Sequence, residues 1–232
     1  MATTQQTPRH LVICVVTGPK PEVSLMAAIS LLRLQTHLMS SPQPIRADMH
    51  FVSDINEALH TVHTTAEAED ASALIFDGCM GFDTAFALRA LATDVPVLVG
   101  VYPMPVIDWQ RVSSKPGGGE DVQNWGNVYN VKPLTSPDAN GYIEVDRTAH
   151  LGLLWLRARV LRDIAARHPE VKGAEAGTAF ACPGMYGGKM TSAHRRFLDL
   201  YNGPVRADPA AGATSSGPTE FGGCVGARNV LR

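Results

Sequence analysis

The sequence predicts an α/β fold with a mainly parallel central sheet and helices on both faces. Three observations carry that prediction. The run Leu11-Val12-Ile13-Cys14-Val15-Val16 is continuously apolar and largely β-branched, the mark of a strand covered on both faces. From there to Tyr102, strand and helix patterns alternate: strand, helix, strand, helix, strand, helix, strand. Turn formers close the strands, as in Thr17-Gly18-Pro19 and Asp77-Gly78. Ligands on such sheets sit at the C-terminal strand ends, so Thr17, Ser53, Asp77 and Tyr102 are expected along one rim.

The elements follow in order. After Thr17-Gly18-Pro19, Leu25, Ala28, Ile29 and Leu32 recur at helical spacing and predict a helix over 23–38. Met49-His50-Phe51-Val52 is a second short strand. Asp54 is placed to cap a helix running from Ile55 to about Ala68. Leu74-Ile75-Phe76 is the third strand, Thr84 to Ala92 the next helix, and Val95–Tyr102 the fourth strand. The second half changes texture. Lys115-Pro116-Gly117-Gly118-Gly119 reads as a loop, and short strands at 128–131 and 142–145 flank the turn Ser136–Gly141. Leu151–Leu156 is apolar, Arg157–Arg167 is a helix, and a last helix is expected near Ser192–Leu200.

These patterns divide the chain into a flexible N-terminus (1–10), a single domain (11–201) and an irregular C-terminal tail (202–232). The tail expectation rests on its large apolar side chains, which are only Val205, Phe221, Val225, Val230 and Leu231. Ordering a residue costs roughly 1–2 kcal/mol of backbone entropy. Burying one such side chain returns about 1.5–3 kcal/mol. Order in the tail would therefore call for a neighbouring protein surface.

Composition narrows the function classes. At 232 residues with 45% hydrophobic and 18% charged, the chain can bury a core and is not of disordered type. A net charge of −2 provides no basic footprint for nucleic acid. No run approaches the roughly 20 apolar residues of a membrane span, and MATTQQTPRH lacks the positive start of a signal peptide. The cysteines Cys14, Cys79, Cys182 and Cys224 form no C-x-x-C pair, which disfavours a zinc or disulfide framework and suits a reducing compartment.

Few residues offer chemistry. Gly117–Gly119 is not a phosphate loop, because no Lys-Ser/Thr follows and no strand feeds it. His60 and His63 share a helix face without a third ligand, so a solvated face is the simpler account. Asp77 remains. A carboxylate after an apolar strand can serve as a turn former or cap, or as a ligand to the Mg²⁺ or Mn²⁺ that neutralises a leaving diphosphate. That second role needs a further hard ligand, and two residues on the sequence has Cys79, whose thiol suits a hard cation poorly.

Several segments in order resemble the small GT-A-fold glycosyltransferase-like proteins of bacteriophages and large DNA viruses. The opening strand with Thr17-Gly18-Pro19 is similar to that family's nucleotide-edge turn, and Ser53-Asp54-Ile55-Asn56 to the segment before its second helix. "LIFDGCMGF" stands where the family has an Asp-x-Asp strand end. "VGVYPMPVIDW" is similar to its Gly-x-Tyr-Pro segment, and "HLGLLWLRARVL" to its Gly-aromatic-apolar strand and following helix. The resemblance covers about residues 10–170 and implies a GT-A-like domain in which Thr17, Asp77 and Tyr102 would contact a nucleotide-sugar.

The departures fall on the family's chemistry. Cys79 replaces the second metal carboxylate, Ala193 stands in a segment where the family carries acidic residues, and Ser215 takes the place of its metal-ligating His. The resemblance thus implies remnant positions at Asp77, Cys79, Ala193 and Ser215, with no catalytic residue and no bound metal. The expected role is that of a silent glycosyltransferase-like component, structural or binding, of a virus particle. Its partners would be neighbouring subunits, or a nucleotide-sugar or glycan, in a virion or host cytoplasm. The alternative is an active, metal-independent transferase (with Mn²⁺ or Mg²⁺ entering only here) whose base is Asp83, Asp108 or His194. A weaker third reading is a sugar-binding module stacking ligands on Tyr102, Trp109 and Trp125, with Trp109 expected to be buried.

Overall fold

The computed structural model describes residues 9–18, 22–43, 45–66, 71–114, 127–171, 179–186, 189–216 and 220–221. In chain order the elements begin β1 (Arg9–Val16), α1 (Leu25–Met39), β2 (Ile45–Val52), α2 (Ile55–Thr65), β3 (Ser72–Asp77), β4 (Met80–Gly81) and α3 (Thr84–Ala92). Next come β5 (Val97–Gly100), β6 (Pro103–Ile107), α4 (Trp109–Ser113), β7 (Asn127–Tyr129), β8 (Ile143–Val145), β9 (Leu153–Arg157) and α5 (Ala158–Arg167). A 3-10 turn (Pro169–Val171), β10 (Gly184–Tyr186), β11 (Lys189–Thr191), α6 (Ala193–Tyr201), β12 (Val205–Asp208), β13 (Thr214–Ser216) and β14 (Glu220–Phe221) complete them.

Seven strands form the central sheet in the order β2-β1-β3-β9-β5-β12-β8. β2, β1, β3, β5 and β12 run one way, while β9 and β8 run against them. The fold is α/β with a mainly parallel sheet. The side chains of β1 alternate between two cores, as strand geometry requires. Leu11, Ile13 and Val15 pack with Ala27 and Leu34 of α1 and Phe86 and Leu91 of α3. Val12 and Cys14 pack on the other face with Leu59 and Val62 of α2, Leu161 and Ile164 of α5, and Phe197 and Leu198 of α6. Helices cover both faces, which is why Leu11–Val16 of β1 is apolar throughout.

Caps fix where the helices start. Ser24, Asp54, Asp83 and Ser192 each accept a hydrogen bond from a backbone N–H in the first turn of α1, α2, α3 and α6. Asp54 does so as expected from sequence, and Glu57 reaches back to the backbone N–H of Ser53 at 2.7 Å. No helix among the described residues is long and apolar enough to cross a membrane.

The C-terminal expectation needs correction. Residues 202–232 are not simply an irregular tail, because β12 lies inside the central sheet between β5 and β8. β13 pairs with β4 on one side and β14 on the other. Large side chains were the wrong measure: Ala207, Ala211 and Ala213 are small yet buried, alongside Val205. Asp208, 2% exposed, is held by Arg89 through Nε at 3.0 Å and Nη2 at 2.6 Å. Residues 217–219 and 222–232 lie outside the described residues.

Candidate functional site

The rim predicted from strand order exists. β1, β3 and β5 point the same way, and Thr17, Asp77 and Tyr102 stand at or just past their C-terminal ends. Two backbone bonds tie the rim together at Asp77. Gly78 N–H donates to the Val16 carbonyl and Ser24 N–H to the Gly78 carbonyl, each at 2.7 Å. Between them opens a cleft of about 560 Å³ lined by Thr17, Gly18, Glu22, Ser24, Asp77 and Cys79, among others. Gly18 has φ +69°, a left-handed conformation that glycine adopts without strain.

Asp77 is half-buried, and burial pushes its carboxyl up to about 6. Its backbone N–H is bonded to the Gly152 carbonyl at 2.9 Å. Gly152 lies against both of the rim's acidic groups. A methyl on its Cα would stand 2.4 Å from Tyr102 Oη and 2.6 Å from Asp77 Oδ2. Only glycine fits between them. Tyr102 is buried, and burial, reinforced by the Asp77 charge, drives its phenol upward and keeps it protonated.

From Tyr102 a chain of contacts leads to two histidines. Tyr102 Oη accepts from Gly152 N–H at 3.0 Å and lies 2.6 Å from His150 Nδ1. The His150 ring stacks on His194 with centroids 4.0 Å apart and a 32° tilt. His194 Nδ1 accepts from the Leu151 backbone N–H at 3.0 Å. Burial lowers both rings, and the neighbouring His150 helps take His194 down to about 4, so both are neutral at pH 7. Buried Asn130 holds the two loops in place. It accepts from Tyr102 N–H at 2.9 Å and donates to the carbonyls of Gly100 and His150, each at 3.0 Å.

The other expected positions scatter. Cys79 is exposed in the turn after Asp77, its thiol pushed up first by burial and then by Asp77. Ala193 opens α6 and packs on the core beside the His194 backbone. Ser215 pairs with Met80 across β13 and β4, next to that same turn. Of the three candidate bases, His194 is the one whose ring joins the cluster. Asp83 instead caps α3, accepting from Ala85 N–H at 2.9 Å, and Asp108 follows β6. Trp109 is 66% exposed, against the expectation of burial, because α4 is a single short turn outside the core. Trp125 and Gly117–Gly119 lie outside the described residues. On α2, His63 sets its ring edge-on to Phe180 at 5.3 Å, so that face is not merely solvated. Sequence reasoning missed His150, Gly152 and Asn130 as parts of the site. The one signal, for His150 and Gly152, is His-x-Gly immediately before an apolar strand.

The residues at Asp77 do not fit a Mg²⁺ or Mn²⁺ ion. Around the Asp77 carboxylate stand the Tyr102 phenol and the Cys79 thiol, with Glu22 the one other carboxylate residue lining the cleft, whereas such cations take several hard oxygens. Among the described residues no group of three or more His, Cys, Asp or Glu is arranged to hold a metal.

No family model matches this chain, and no curated protein sequence does. Some solved structures are similar in trace. HddC from Yersinia pseudotuberculosis shares 10% identity at a TM-score of 0.40, over 86% of this chain and 89% of that one. A 4-diphosphocytidyl-2C-methyl-D-erythritol synthase from Anaerococcus prevotii shares 7% at 0.40, over 86% and 88%. The inositol-1-phosphate CTP transferase from T. maritima shares 10% at 0.38, over 88% and 86%. Likeness at this level concerns the course of the chain alone.

Proposed function

We propose that this chain is a glycosyltransferase-like protein that binds a nucleotide-sugar in the cleft between β1, α1 and β3 and performs no metal-dependent sugar transfer. One observation carries the reading: Asp77 lines an open cleft at the strand ends in which Glu22 is the one other carboxylate residue, and among the described residues no group of three or more His, Cys, Asp or Glu is arranged to hold a metal. Such a carboxylate can accept from sugar or ribose hydroxyls. It cannot by itself hold the cation that stabilises a departing diphosphate. A role as a component of an assembly such as a virus particle accompanies this reading, with binding rather than catalysis as what the cleft retains. The case for a free C-terminal arm in such an assembly is reduced, since β12 belongs to the sheet.

The test is calorimetric titration with a panel of nucleotide-sugars in Mn²⁺ and in EDTA, with donor hydrolysis followed in parallel. Binding that is unchanged by EDTA, without hydrolysis above background, is expected. Mn²⁺-dependent hydrolysis abolished by Asp77→Ala would overturn the proposal. A second reading, an active metal-independent transferase, is favoured by the carboxyl near 6 and by Gly152, which lies against both Asp77 Oδ2 and the Tyr102 Oη that reaches His150. It requires turnover in EDTA that disappears in Asp77→Asn.

A further inference from the structure

We infer that His150 and His194 form a paired donor subsite for a phosphate oxygen, each ring presenting its Nε2–H. The hydrogen-bond geometry assigns the tautomers. A backbone amide can only donate, so the bond from Leu151 N–H to His194 Nδ1 leaves that ring's single proton on Nε2. Tyr102 Oη already accepts from Gly152 N–H. The phenol oxygen has a second lone pair, but its own hydrogen still needs an acceptor, and His150 Nδ1 at 2.6 Å is far better placed for it than the His150 carbonyl at 3.4 Å. His150 thus also carries its proton on Nε2. No described residue bonds the Nε2 of either ring, and neither atom is among the buried polar atoms that lack a partner.

The consequence is specific. His194 has no free lone pair, so it cannot be the base that the active reading requires. It is a donor. Two stacked donors with no acceptor between them match an anionic oxygen better than a hydroxyl, which would need an acceptor in turn. His194 also sits in the first turn of α6, a nine-residue helix whose N-terminal dipole favours negative charge. Asp77 lies beyond Tyr102 and Gly152 from the rings and offers only acceptors when ionised. The rim is divided into a donor half for phosphate and an acceptor half for hydroxyls, the two chemistries a nucleotide-sugar presents. The inference rests on the proposed function for the identity of that ligand, and inorganic pyrophosphate probes it separately.

The experiment is a long-range ¹H–¹⁵N spectrum of the full chain labelled at histidine, titrated with pyrophosphate and with uncharged glucose. Both rings should have bare Nδ1 and protonated Nε2 before ligand. Pyrophosphate should move both Nε2 signals and glucose neither, and His194→Ala should weaken pyrophosphate binding about tenfold or more. Protonated Nδ1 in either ring, or Nε2 signals that pyrophosphate leaves in place, would overturn the inference in the unaltered protein whether or not the variant folds. A nucleotide-sugar bound equally by the natural chain and His194→Ala would overturn the inference and leave the proposed function standing. Pyrophosphate held by the rings of a chain that binds no nucleotide-sugar would do the reverse.

Discussion

Replacing Asp77 by Asn should stabilise the protein at neutral pH. The carboxyl rises from an ordinary 3.8 to about 6 because it is buried without a compensating partner charge. The folded state therefore holds its proton over a range where the unfolded chain has released it. Stability is lost as pH climbs from about 4 through 6, and the full penalty is present at pH 7.5. At 1.36 kcal/mol per pH unit the shift is worth about 3 kcal/mol. Asp77 keeps some solvent contact, which brings the expected gain down to about 1–3 kcal/mol. Asn has nearly the same shape and leaves Gly152 its close approach. Urea unfolding of both proteins at pH 3.5 and pH 7.5 measures the difference. The two should be nearly equal at the lower pH, with the variant ahead at the higher. A destabilising substitution at pH 7.5, or a gain independent of pH, would show that the carboxylate is held by favourable contacts and is no vacant ligand group.

Gly152→Ala places a methyl within 2.4 Å of Tyr102 Oη and 2.6 Å of Asp77 Oδ2. Overpacking there should cost about 1–3 kcal/mol and displace Tyr102 from His150, read as a lower denaturant midpoint and shifted His150 ring signals. Ending the chain at Tyr201 should abolish folding, because it removes a strand bonded on both sides and the carboxylate partner of Arg89. A soluble product with a cooperative melt would refute this. Asp208→Ala alone should cost about 3 kcal/mol, measured by the same unfolding assay. Alkylation should reach exposed Cys79 in the native state and spare Cys14, whose burial holds its thiol at about 12, until the chain unfolds. Asp77→Asn should quicken the Cys79 reaction, since the Asp77 charge is one cause of its raised thiol.

What the sequence revealed depended on how local each signal was. β1 could be read because Leu11–Val16 is apolar on both faces of an inner strand, and α2 because Asp54 caps its start. The position of Asp77 followed from strand order, since parallel strands joined by helices end on the same rim. The reversed direction of β9 could not be read that way: Leu153–Arg157 is apolar whichever way it runs, and only its pairing with β3 and β5 decides. β12 was hidden for a different reason. Alanines between two bonded strands are buried by their neighbours' bulk, which a count of large side chains in 202–232 does not register. The site shows both limits together. Asp77 announced itself through a strand and a turn, but His150 and His194 are distant in sequence and meet only because β9 and α6 bring them together. A reading that looks for carboxylates finds them missing at Cys79 and Ala193 and concludes that chemistry has been erased. In the folded chain the same rim brings two imidazoles together, His194 accepting from the Leu151 N–H and His150 lying 2.6 Å from the Tyr102 hydroxyl. If these rings donate to a ligand as inferred above, the kind of ligand group has changed rather than been lost.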